Sequence, residues 1–144
     1  MFNALGSAGV LGGAVVADLF AGSGAVGIEA LSRGAATCLF VECDRTALAV
    51  LRENLDTLGL TDRARVLASD AMAVAPTVDA DLLIADPPYD FAEWERLLGL
   101  VSVDTVVAES GRSIEPPSGW TVTRAKRYGR TWLTFLERSA PEPG

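Results

Sequence analysis

Val15-Val16-Ala17-Asp18-Leu19-Phe20-Ala21-Gly22-Ser23-Gly24-Ala25-Val26-Gly27 is the stretch whose reading decides the fold. An apolar run from Val15 to Phe20 meets a turn that matches Gly-x-Gly-x-x-Gly at Gly22, Gly24 and Gly27. Residues 25–33 then have helical character, closed by Arg33 in the last turn and Gly34 after it. A strand that turns at once into a helix begins a βαβ unit. Its glycines permit a tight turn and the close approach of a ligand to the backbone, and the helix N-terminus favours a negative group.

The same pattern continues outward. Thr37-Cys38-Leu39-Phe40-Val41-Glu42 reads as the second strand, and 45–58 as a helix with Leu48, Leu51, Leu55 and Leu58 along one face, stopped by Gly59. Further strands are expected at about Ala64 to Ala68, at Asp81 to Ala85 and at about Thr105 to Glu109. Asp90 and Glu93 form a capping-box-like start for a helix carrying Phe91, Trp94, Leu97 and Leu98. After a loop over 110–119 with Pro116-Pro117, residues 120–137 alternate polar and apolar around Tyr128-Gly129, the signature of an antiparallel hairpin. Five βα-type strands followed by a hairpin predict an α/β fold with a mostly parallel, seven-stranded sheet and one antiparallel strand.

Composition narrows the chemistry. With 144 residues a single domain over 1–144 is expected. Twelve basic against 19 acidic residues give a net charge of −7, which disfavours non-specific nucleic-acid binding by the chain as a whole. The absence of histidine removes Ser-His-Asp and Cys-His catalysis and His-ligated zinc, and no metal site is expected. Cys38 and Cys43 are too few for a four-cysteine zinc site. Their spacing in a strand points them to opposite faces, so they read as buried, reduced thiols of a cytoplasmic protein. No apolar run reaches the ~18 residues that span a bilayer, and Met1 to Gly13 has no basic n-region, so neither a membrane partner nor a signal peptide is expected. A monomer is anticipated. Its chemistry is left to carboxylates, hydroxyls, backbone groups or a bound cofactor.

Four carboxylates stand where such chemistry would be done. Glu42 ends the second strand, 20 residues after Gly22, where it can accept hydrogen bonds from two ribose hydroxyls. The glycine turn by itself does not choose between NAD and S-adenosylmethionine. Asp18 helps, because a carboxylate inside the first strand can meet the α-ammonium of an amino-acid-bearing cofactor, though it can equally cap nearby backbone amides. Asp70 follows the third strand and either accepts from an adenine amine or N-caps a short helix over 71–75. Asp86-Pro87-Pro88-Tyr89 ends the fourth strand at the edge where ligands bind in open α/β sheets. The Asp86 carboxylate and the Pro87 carbonyl can accept both N–H bonds of an exocyclic base amine and aim its lone pair. The prolines hold both acceptors in place, and Tyr89 offers a face for an extruded base. An Asp of ordinary pKa, about 3.9, would be ionised there at neutral pH. Arg124, Lys126, Arg127 and Arg130 gather 4 of the 12 basic residues within seven positions and are the candidates for phosphate contact, against the alternative of a solvated hairpin surface. Trp132 and Phe135 are expected in the core.

Asp18-Leu19-Phe20-Ala21-Gly22-Ser23-Gly24, Gly27-Ile28-Glu29-Ala30-Leu31-Ser32-Arg33-Gly34-Ala35, Val41-Glu42-Cys43-Asp44, Asp86-Pro87-Pro88-Tyr89 and Lys126-Arg127-Tyr128-Gly129-Arg130-Thr131 together resemble the RsmD-type 16S rRNA guanine-N2 methyltransferases. The resemblance implies a Rossmann-like class I methyltransferase fold, with helices on both faces of the sheet and S-adenosylmethionine as methyl donor, leaving S-adenosylhomocysteine. It implies cofactor contacts from Asp18, Phe20, Ala21, Gly22, Ser23, Gly24, Glu42, Cys43, Asp70 and Ala71, with the target guanine held by Asp86 to Tyr89. The implied partner is 16S rRNA or the small ribosomal subunit. The family carries an N-terminal extension with a basic hairpin ahead of a Phe-Asn-x-Leu segment. Here the sequence opens on Met1-Phe2-Asn3-Ala4-Leu5, so a weaker grip on rRNA is expected. The competing functions are a DNA adenine-N6 methyltransferase, which would use the same tetrapeptide, a nucleotide-dependent oxidoreductase, which would leave Asp18 and Asp86 to Tyr89 idle, and a non-catalytic S-adenosylmethionine-binding domain.

Overall fold

The computed structural model describes residues 11–88 and 90–140. The Phe-Asn-x-Leu segment, Tyr89 and the tail Pro141 to Gly144 lie outside them. Seven strands form one sheet: β1 (Val15–Asp18), β2 (Thr37–Glu42), β3 (Ala64–Ala68), β4 (Leu82–Ala85), β5 (Thr105–Ser110), β6 (Trp120–Tyr128) and β7 (Thr131–Arg138). Their order is β3-β2-β1-β4-β5-β7-β6. Neighbours among β1 to β5 pair in parallel, β7 runs antiparallel to β5 and to β6, and β7 is therefore the one reversed strand, as expected.

The helices are α1 (Ala25–Ser32), α2 (Arg45–Thr57), α3 (Ala71–Val74) and α4 (Trp94–Leu100). Alternate residues of each central strand face opposite layers. Val16, Leu82 and Ile84 pack with Ala30 and Leu31 of α1 and Leu51 and Leu55 of α2. Ala17, Leu83 and Ala85 pack with Val74 of α3 and Leu97 and Leu98 of α4. Strands buried on both faces read as unbroken apolar runs, which is why β1 and β4 were legible as parallel strands.

Several local expectations change. Leu58 closes α2 as its C-cap and is 58% exposed, so the leucine face ends at Leu55. The helix expected to start at Asp90 starts at Trp94. The backbone first turns back on itself, with Phe91 N–H donating to Pro88 O at 2.9 Å. Glu93 occupies the N-cap position but makes no side-chain cap bond and pairs instead with Arg96 at 3.1 Å. Cys43 is exposed, beyond the end of β2, and only Cys38 is a buried thiol; both are free. Trp132 is only half-buried and lies under the Arg127 guanidinium, 5.9 Å from its ring centroid, rather than in the core.

Gly27 shows how tightly α1 is set on the sheet. A Cβ there would lie 2.3 Å from Phe40 Cε1 and 2.9 Å from Cys38 Sγ, both from β2. The helix backbone rests directly on these β2 side chains, with no room for a methyl group between them. Gly27→Ala is expected to destabilise by about 1–3 kcal/mol through overpacking. Urea unfolding of this variant checks it, and Phe40→Leu in the same background should recover part of the loss.

Candidate active site

The carboxyl ends of β1 to β5 lie along one edge of the sheet, and the site is assembled from the loops that leave them. The loop after β1 is fastened first by backbone. Leu19 N–H donates to Ile84 O at 3.1 Å and Ala21 N–H to Val41 O at 3.0 Å. Gly22 then adopts φ +57, in the left-handed region, and a Cβ on it would meet nothing within 4 Å. The glycine is therefore required by conformation, and the space beside the turn is open to a ligand. Gly24, the N-cap of α1, has φ +90 and faces Leu51 Cδ1 at 2.3 Å from an ideal Cβ, so here a side chain is excluded by packing as well.

Glu42 holds this loop to the next one. Its Oε1 accepts from Gly22 N–H at 2.8 Å, and its Oε2 accepts from Cys43 N–H at 2.9 Å and Asp44 N–H at 2.8 Å. A carboxylate offers about four acceptor sites, so one on Oε1 is left for a ligand. Asp44 caps α2 by accepting from Ala47 N–H, and Asn54 of α2 reaches back to Ser23 O at 3.1 Å. Asn54 carries no motif, and its part in fixing the turn was not legible in sequence. Asp70 accepts from Ala73 N–H at 3.1 Å and so N-caps α3, the structural role the sequence offered beside adenine recognition.

Asp18 is the most buried of the candidate carboxylates, at 1% exposure. Its Oδ2 accepts from Gly27 N–H at 3.2 Å, so it caps α1 from within β1. Burial pushes its pKa up to about 7, partly offset by the N–H groups of Gly27 and Phe20 and reinforced by the charges of Asp86 and Glu42.

Asp86 leaves β4 on the exposed side of the chain, followed by buried Pro87. Its carboxyl faces that of Glu109, which lies near the end of β5 on the adjacent, paired strand. Partial desolvation of the carboxyl, and then the neighbouring Glu109 carboxyl, raise Asp86 to about 7. The expectation of a fully ionised, unperturbed Asp86 is thereby corrected. Sequence reasoning missed Glu109 altogether, because only the β4–β5 pairing brings it to Asp86.

A cavity of about 210 Å³ opens beside this pair, lined by Asp86, Pro87, Glu109, Ser110, Gly111 and Thr131. A second, of about 430 Å³, shares Ser110 and Gly111 and adds Asp90, Phe91, Trp94 and Arg112. Phe91 meets Phe20 edge-on at 5.5 Å and Trp94 at 5.0 Å, so the loop after β1 and the start of α4 share an aromatic wall. A larger cavity of about 610 Å³ lies at the opposite edge, among Val15, Cys38, Arg63, Arg65 and Asp79, and holds none of the candidate residues.

The hairpin contributes through its turn. Because β7 begins where β5 ends, Thr131 reaches the Asp86 cavity and Gly129-Arg130 projects beside it. The φ signs, +61 at Gly129 and none positive at Arg130, fit a type II′ turn. The basic residues do not form one face. Along β6 side chains alternate, and after a bulge between Val122 and Arg124 the register places Arg124, Lys126 and Tyr128 on the side of Phe135 and Leu133 and Arg127 on that of Trp132.

This geometry has counterparts. The profile of the family described as Conserved hypothetical protein 95 matches residues 1–137. The chain belongs to that family, the RsmD-type class I methyltransferases. It is 36% identical over 136 residues to the protein YlbH of Bacillus subtilis (strain 168), covering 84% of this chain and 74% of that one. It is 32% identical over 135 residues to the Ribosomal RNA small subunit methyltransferase D of Escherichia coli (strain K12), covering 85% and 68%. A conserved hypothetical protein of Streptococcus pyogenes superposes with a TM-score of 0.81 at 30% identity, covering 96% of this chain and 92% of that one. Among the described residues, no group of three or more Cys, Asp and Glu could hold a metal, and no helix is long and apolar enough to cross a membrane.

The Asp18 shift has a consequence for stability in this methyltransferase. Between about pH 4 and pH 7 the native state keeps a proton that the unfolded chain has lost, so stability falls as pH rises through that window and levels off above it. Asp18→Asn keeps an oxygen for Gly27 N–H and carries no charge. The unfolding free energy of the wild type minus that of Asp18→Asn is expected to fall by up to about 4 kcal/mol from pH 4 to pH 8 in urea titrations. A difference independent of pH would show that Asp18 does not titrate in this range.

Proposed function

We propose that this chain binds S-adenosylmethionine at the β1–β2 loops and transfers its methyl group to the exocyclic N2 amine of a guanine in 16S rRNA, acting as a single-domain monomer on the small ribosomal subunit. The observation that carries the reading is the adjacency of three features along one sheet edge. They are the open glycine turn pinned by Glu42, the Asp86-Pro87 acceptors, and a basic hairpin turn whose Thr131 lines the Asp86 cavity. Relatives named for rRNA methylation support the substrate class.

The donor group fits the residues present. Gly22 leaves open space, Glu42 keeps an acceptor for a ribose hydroxyl, and Asp70-Ala71 stand at the end of β3 for an adenine ring. When bound, S-adenosylmethionine supplies a methyl group activated by its sulfonium. The work of the chain is placement. Asp86 and the Pro87 carbonyl accept the two amine N–H bonds, which turns the nitrogen lone pair out of conjugation with the ring and toward the methyl carbon. With the C–S bond of the donor broken and its thioether leaving neutral as the C–N bond forms, the nitrogen would gain positive charge, which the Asp86 carboxylate is placed to stabilise. The surplus proton leaves through Asp86 or to water, now from a far more acidic nitrogen. Lys126, Arg127 and Arg130 at the hairpin end, and Arg124 farther along β6, serve phosphates flanking the target base.

Two outcomes test this. Glu42→Gln places an amide where three backbone N–H groups require acceptors, and is expected to weaken S-adenosylhomocysteine binding by about 1.5–3 kcal/mol in calorimetry. Unchanged affinity would remove Glu42 from the ribose site. Asp86→Asn is expected to slow single-turnover methyl transfer to small subunits about 10²–10³-fold with cofactor affinity preserved, by analogy with loss of one oxyanion-hole donor. In the wild type the rate should rise with pH through about 7, as Asp86 loses its proton. An Asp86→Ala enzyme as fast as wild type would end the assignment.

A further inference from the structure

Glu109 has no task in the fold that its position explains. It stands near the end of β5, half-buried, with its carboxyl beside another carboxyl, that of Asp86, across the β4–β5 pairing. Two carboxyls held together are unfavourable unless a proton or a ligand donor comes between them. Both line the same small cavity, together with Pro87, Ser110, Gly111 and Thr131.

What such a wall can read follows from base chemistry. Two neighbouring acceptors call for two neighbouring donors. Adenine presents its amine next to N1, an acceptor, and cytosine presents its amine next to N3, also an acceptor. Uracil has no amine. Guanine alone among the four places an amine beside a ring N–H, so its N2 and N1 form a donor–donor edge. We propose that Glu109 is the residue that selects the base: its carboxylate accepts the ring N1–H of guanine while Asp86 holds the neighbouring N2 amine. This rests on the proposed amine methylation and adds to it the group that distinguishes one amine-bearing base from another. An adenine or cytosine in the same pose would set a ring lone pair against a carboxylate, and a site built to hydrogen-bond a donor rejects the analogue that lacks it.

The test varies the ring donor and leaves the amine in place. 2-Aminopurine keeps the amine at C2 but has an acceptor at N1. Once the methylated position is mapped, small subunits are assembled on ligated rRNA carrying either guanine or 2-aminopurine there. Single-turnover methyl transfer is then measured with wild type and with Glu109→Gln. Wild type is expected to favour guanine by about 10–100-fold, the discrimination of one well-placed base contact. The side-chain amide that Glu109→Gln introduces can turn its N–H toward the 2-aminopurine N1. This variant should therefore slow transfer to guanine, speed transfer to 2-aminopurine and bring the ratio near one. S-Adenosylhomocysteine affinity should be unchanged, which reports an intact fold. A ratio unaltered by Glu109→Gln, or wild type without preference, overturns the assignment of Glu109 and leaves the methylation reading standing. Wild type that transfers methyl to neither base overturns the methylation reading, and this inference with it.

Discussion

Three backbone N–H groups, from Gly22, Cys43 and Asp44, converge on the carboxylate of Glu42. Gly22 belongs to the loop after β1, and Cys43 and Asp44 to the loop after β2. One side chain thus sets the relative position of two loops that approach the edge on separate strands. Charge-assisted bonds of this kind are among the stronger ones a fold can use. The rest follows from that clamp. With the β1 loop held, α1 starts at Gly24 and its close contact with β2 through Gly27 is possible. With the β2 loop held, Asp44 caps α2, and Asn54 of α2 returns to brace Ser23.

The same edge concentrates negative charge. Asp18 is raised by its burial and further by Asp86 and Glu42, and Asp86 by its own partial burial and by Glu109. An edge of this kind disfavours the approach of an anion and favours a cation, which suits a donor that carries a sulfonium before transfer and has lost that charge after it. Nucleic acid would need its phosphates kept clear of the four carboxylates. The basic residues at the hairpin turn and Arg112 beside the aromatic cavity lie where they can take that charge at the rim.

Much of this was legible because it is local. The run into Gly22 and the stop at Gly34 fix a strand and a helix within twenty residues, and β2 and β3 fall at the expected bounds. What escaped depends on pairing between distant segments. Glu109 meets Asp86 only because β5 lies beside β4, and no pattern within β5 announces it. Strand alternation along β6 turns a compact basic run into side chains on two faces, and the bulge near Thr123 sets which side of β7 each one meets. The acidic residues at Asp90 and Glu93 imitate a helix start, but the turn closed by Phe91 N–H on Pro88 O delays the helix to Trp94. Asp18 and Asp70 were read with two roles each. The structure shows the capping role for both, since the same oxygen types that could meet a ligand satisfy helix N-termini here.

The central claim is that a donor cofactor lies across the loops joined by Glu42, with its reactive end turned to Asp86. A crystal structure of the protein with S-adenosylhomocysteine tests it most directly. The account predicts a ribose hydroxyl on Glu42, the adenine beside Asp70 and Ala71, and the sulfur facing Asp86 and the cavity it shares with Glu109. Density for the ligand at the opposite edge, among Cys38, Arg63 and Arg65, or a ligand that leaves Glu42 without a contact, would contradict it.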